Sequence, residues 1–195
     1  MTDERSVADW TLSRDLVDRF VAGTATEAEE AALADEVARV LPFHAELPNP
    51  LVAALEKVMD HLGGEPSLWA WLDRHAGRPR KTARLYLVMA LLDRISTEPA
   101  VTTALTEHRS HTRYPPGLEE YLPPVTSEET LADLSGQIEL LLRADRVDTA
   151  VALAAAVVDL LDALARRIAE LDPALRGLRD QVAELRRDLQ QVAAA

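Results

Sequence analysis

From Leu171 onward, apolar side chains recur at Leu171, Leu175, Leu178, Val182, Leu185, Leu189 and Val192, alternating steps of four and three residues. Only an α-helix with one narrow buried stripe satisfies that spacing, because a strand would need a period of two. The repeat runs for about three heptads and is flanked by Arg179, Gln181, Arg186 and Asp188, in the manner of a coiled-coil packing seam. It can be covered by helices of the same chain, by a second copy or by a partner helix.

The rest of the chain is of the same kind. Ala, Leu and Val supply most of the 48% hydrophobic content and aromatic residues make up 4%. Runs of β-branched residues bounded by turn residues are missing, which argues against a sheet. The expected fold is all-α: a bundle of about five or six helices, followed by a long helical hairpin or three-helix unit whose last helix is coiled-coil-like. At 195 residues one domain or two small helical units are both possible. Cysteine is absent, which removes disulfides, thiolate catalysis and cysteine-ligated zinc. Residues 1–10 show no secretory pattern, and the most apolar stretch, Ala150 to Ala165, is broken by Asp159 and Asp162 and is shorter than the roughly 20 residues of a membrane span. A cytoplasmic location without a membrane span is the expectation.

Net charge is −12, unevenly distributed. Arg74 to Arg113 holds eight basic and three acidic residues, a balance of +5, and the remaining residues carry −17. An acidic shell repels nucleic acid and anionic membrane, so an anionic partner would have to use the middle segment. Nineteen Arg against two Lys reads as codon usage.

Along the chain, Ser6 with Asp9 is a cap-like start for a first helix carrying Trp10, Leu16, Val17 and Phe20, with Gly23 as its stop. Thr26 with Glu29 repeats the start signal, and Pro42 ends the second helix. The segment Leu16 to Leu41, an aromatic-x-x-Gly (Phe20 to Gly23) followed by a Glu-rich helix, resembles the opening of bacterial zinc-binding anti-sigma factors over about 26 residues. The Cys and His ligands that define those proteins do not follow, so no functional residue is carried over. Asn49-Pro50 starts a third helix that Gly63-Gly64 stops. A short helix over 66–76 contains Trp69 and Trp71, which cannot share a face; one is expected in the core and the other at a boundary, with an exposed partner anchor as the alternative. Pro79 opens a helix that is apolar nearly all round through Leu92, and Thr97-Glu98-Pro99 opens a short one. The prolines of 114–124 set a connector, giving an expected division into a bundle at 1–108, a connector at 109–127 and a C-terminal unit at 128–195. An extended brace over the bundle is the simplest reading of that connector, and a polyproline-type ligand the alternative. Past Ser127, Leu131, Leu134, Ile138, Leu141 and Leu142 mark a helix. The next carries two apolar seams, one through Val147, Val151, Ala154, Val158, Leu161 and Ile168, the other through Val157, Leu160, Leu164 and Leu171, which implies neighbours on two sides. Asp172-Pro173 reverses the chain into the heptad helix.

Candidate sites are few. His75, Arg78, Arg80, Lys81 and Arg84 lie around the N-terminus of the Pro79 helix, where the macrodipole disfavours cations; either they pair with acids of the fold or they hold an anionic ligand or acidic partner. Glu107, His108 and His111 have ligand-like spacing but lack a third or fourth group set by sequence, so no metal is expected. Asp159 and Asp162 are an acid pair or, more simply, the solvent stripe of their helix. No nucleophile elbow, phosphate-cradling glycine loop or zinc-protease motif occurs, and no cofactor is implied. The expectation is a non-enzymatic helical interaction or scaffold protein, self-associating or binding another protein, with anionic ligand or nucleic-acid binding through 74–113 as the alternative.

Overall fold

The computed structural model describes residues 11–75, 77–111, 118, 130–171 and 175–194. Nine α-helices and one 3₁₀ turn occur among them: α1 (Arg14–Val21), α2 (Glu27–Val40), the turn (Leu41–Glu46), α3 (Asn49–Leu62), α4 (Glu65–Asp73), α5 (Arg78–Ile95), α6 (Pro99–His111), α7 (Thr130–Arg143), α8 (Val147–Leu171) and α9 (Arg176–Ala193). The all-α expectation holds, with more helices than a five- or six-helix bundle plus a hairpin.

Local signals set most of the boundaries. The Ser6 start lies outside the described residues. Residues 11–13 are not helical and α1 begins later, under Ser13, whose hydroxyl accepts from the Leu16 N–H at 3.5 Å. Gly23 ends it with φ of +69°, a left-handed conformation that costs a glycine little. At α2 the capping box forms in full: the Glu29 N–H donates to the Thr26 hydroxyl at 3.3 Å, and the Thr26 N–H donates to the Glu29 carboxylate at 2.9 Å. That backbone hydrogen bond, the Thr26 hydroxyl and nearby Arg19 hold the Glu29 carboxyl below its ordinary value. Because the folded state favours the charged form, this contribution is present at neutral pH and lost as pH falls through the lowered value. Thr26→Ala removes the hydroxyl that accepts from the Glu29 N–H and will cost about 1 kcal/mol, which urea denaturation will read. The bond from the Thr26 N–H to the Glu29 carboxylate survives in that variant, so most of the cost will persist in acid. Pro42 stops α2 as expected, in the first turn of the 3₁₀ segment. The third helix starts one residue early, with Pro48 in the cap position and no side-chain cap. Asp145, at φ of +58°, turns α7 into α8.

The chain packs as two compact units, Met1–Ala83 and Arg84–Ala195. In the first, Val17, Phe20, Leu33, Val37, Leu55, Val58, Leu68, Trp71 and Leu72 form one core. In the second, Leu85 to Ile95 of α5 and Val101 to Leu105 of α6 share a core with α7, α8 and α9, and Leu118 of the connector is buried in it. The sequence reading grouped 78–108 with the N-terminal helices. The packing divides inside α5 because that helix is apolar on so wide a face that its C-terminal three turns are buried among the long helices. The rest of the expected connector lies outside the described residues.

In the second unit α8 is packed by α6, α7 and α9, and both of its seams are buried, Val151, Ala154, Val158, Leu161 and Ile168 on one and Val157, Leu160 and Leu164 on the other. The heptad stripe of α9 is filled from within the chain: Leu178, Val182, Leu185, Leu189 and Val192 are all buried, against α8 above all. Each contributes roughly 1.5–3 kcal/mol relative to leaving it in water. On the other side of the balance, Gly136 sits inside α7 with helical backbone, and a Cβ built there would meet nothing within 4 Å. A mid-helix glycine costs about 1 kcal/mol against alanine, and the packing of this unit supplies no reason for it.

Candidate interaction surface

The basic segment is engaged with acids of its own fold. His75, Arg78, Arg80 and Lys81 belong to the first unit and Arg84 to the second. Arg80 Nη1 lies 2.8 Å from Asp73 Oδ2, and its guanidinium carbon stands 5.7 Å from the Trp69 ring centroid, a cation–π distance. Arg84 Nη2 pairs with Asp188 of α9 at 3.1 Å, in a setting that leaves 13% of its side chain exposed. His75 meets the edge of Trp71, centroids 5.6 Å apart. Arg78 and Lys81 also make interactions within the chain. The violation of the dipole rule at the start of α5 is therefore offset by specific acids and an aromatic face.

The two tryptophans divide as their spacing requires. Trp71 is 1% exposed and packs on Phe20, centroids 5.1 Å apart. Trp69 is half-buried at the edge of the same core, under Arg80. Trp71 is thus committed to the core, and Trp69 carries Arg80 over its ring.

The seam on α9 has no vacant length among its described positions; Leu175 is half-buried against the same core, and the Leu171 side chain lies outside the description, as do Asp172 and Pro173. Polar clasps hold it along its edges. Arg186 reaches Asp159 at 3.1 Å and Asp162 at 2.9 Å, Arg94 donates to Gln181 at 2.6 Å, and Asp188 receives Arg84. Asp159 and Asp162 thus bind Arg186, in addition to bordering solvent. The exposed members of this set, Arg94–Gln181 and Arg186–Asp159, are each worth at most about 1 kcal/mol, whereas Arg84–Asp188 is largely buried, where removing one partner costs more than at an exposed pair. Glu107, from the ligand-like trio, is occupied by Arg167 at 2.8 and 3.4 Å, and that pairing with Glu170 beside it raises the arginine's already high pKa. The side chains of His108 and His111 lie outside the description.

A cavity of about 200 Å³ opens beside the first turn of α9, lined by Arg94, Ile95, Glu98, Leu175, Leu178 and neighbours. It is smaller than the roughly 300–1,000 Å³ of ordinary ligand pockets, and the Arg94–Gln181 bond spans its polar side.

The surface that sequence reasoning overlooked is on α7. Leu131, Leu134, Ile138 and Leu141 are buried, as their spacing implies, and Leu142 is half-buried. Leu140 is 59% exposed, the large apolar residue left outside among the described residues. It stands one turn beyond Gly136, and Ala132 and Ala144 extend the same row, both exposed. The signal was present in two parts: Leu140 is off the helical stripe, and Gly136 interrupts a helix without a turn to justify it.

Compared with protein-family models, with curated proteins and with solved structures, the chain finds no match. Among the described residues no helix is long and apolar enough to cross a membrane.

Proposed function

We propose that this chain is a non-enzymatic helical interaction protein that docks through the outer face of α7. The observation that carries the reading is Leu140, left 59% in water, one helical turn from Gly136, where a Cβ would meet nothing within 4 Å. An exposed leucine one turn from a mid-helix glycine offers a partner helix an apolar side chain and a close approach to the backbone. A scattered exposed leucine would need no explanation; one adjoining a costly mid-helix glycine has a packing rationale. The α9 seam supports this role by rigidifying the unit that carries α7. The reading through anionic ligands is less favoured, since Arg80 and Arg84 are committed to Asp73 and Asp188.

The test is affinity capture from a native extract with full-length bait and with Leu140→Glu. Because residue 140 is exposed, the variant will keep its helical circular dichroism and lose the proteins retained by the original chain. The same proteins retained by both baits would refute docking through this face.

A further inference from the structure

We draw no further inference here: the strongest candidate, the cavity of about 200 Å³ between the end of α5 and the first turn of α9, is spanned on its polar side by the chain's own Arg94–Gln181 bond and has no buried charged or polar side chain among the described residues that line it, so nothing in the structure shows what would occupy it.

Discussion

Val182→Asp will collapse the C-terminal unit. Val182 is fully buried at the middle of the α9 stripe, and the substitution places an unpaired carboxylate among the apolar side chains of α8 and α9 while removing the valine's burial. An uncompensated buried charge costs on the order of 3–5 kcal/mol, and the lost burial adds roughly 1.5 kcal/mol or more. Their sum approaches the whole stability of a domain, about 5–15 kcal/mol. Far-UV circular dichroism with urea titration will show the loss of the helices of residues 84–195, whereas Val182→Ala will only shift the midpoint. Since the stripe is filled inside one chain, the wild-type midpoint in dilute solution will not move with protein concentration, as it would for a seam shared between chains. A folded Val182→Asp protein, or a concentration-dependent midpoint in dilute solution, would show that α9 is covered by something else.

The second large effect lies in the N-terminal unit. Trp71→Ala will destabilise it by about 3–5 kcal/mol, the cost of emptying the volume of a buried tryptophan. Trp71 fills the space between Phe20, 5.1 Å away, and His75, 5.6 Å away, so that neither neighbour can collapse into the gap without giving up its own contacts. Trp71→Phe will cost less than half as much. It keeps most of the ring, and it removes an indole Nε1–H that is buried with no hydrogen-bond partner among the described residues, a donor whose desolvation is itself unfavourable. Loss of the blue-shifted fluorescence component together with calorimetric unfolding will measure both. Equal costs for the two substitutions would mean that ring volume is not what this position contributes.

Local structure was legible where its cause is local. The Thr26–Glu29 capping box, the Pro42 stop, the left-handed Gly23 and Gly63 and the double seam of α8 follow from neighbouring residues in the chain, and each is found at or beside its expected position. The Ser6 start lies outside the described residues; the cap found on α1 is Ser13, which the sequence reading did not single out and whose backbone N–H also donates at 2.8 Å to Glu36, a residue of α2. That choice depends on a tertiary contact. The same applies to the basic segment. Its charges were visible, but their partners, Asp73 and Asp188, are set by the fold, seven residues away in one case and on the last helix in the other. Leu140 and Gly136 are a third instance: both lie off the helical stripe in sequence, but that no neighbour covers that direction is decided by the packing of α7.

By itself, the amino-acid order determined that this chain is helical, where most of its helices stop, and that its last helix carries one narrow apolar stripe, because hydrophobic period, caps and breakers act over a few residues. Only the tertiary structure decided that the stripe is covered by α8 of the same chain, that α5 gives its C-terminal turns to the second core, and that α7 keeps a leucine and a bare glycine facing outward. Those outcomes depend on which faces meet, and the meeting of faces is a property of the whole packed chain that no window of sequence contains.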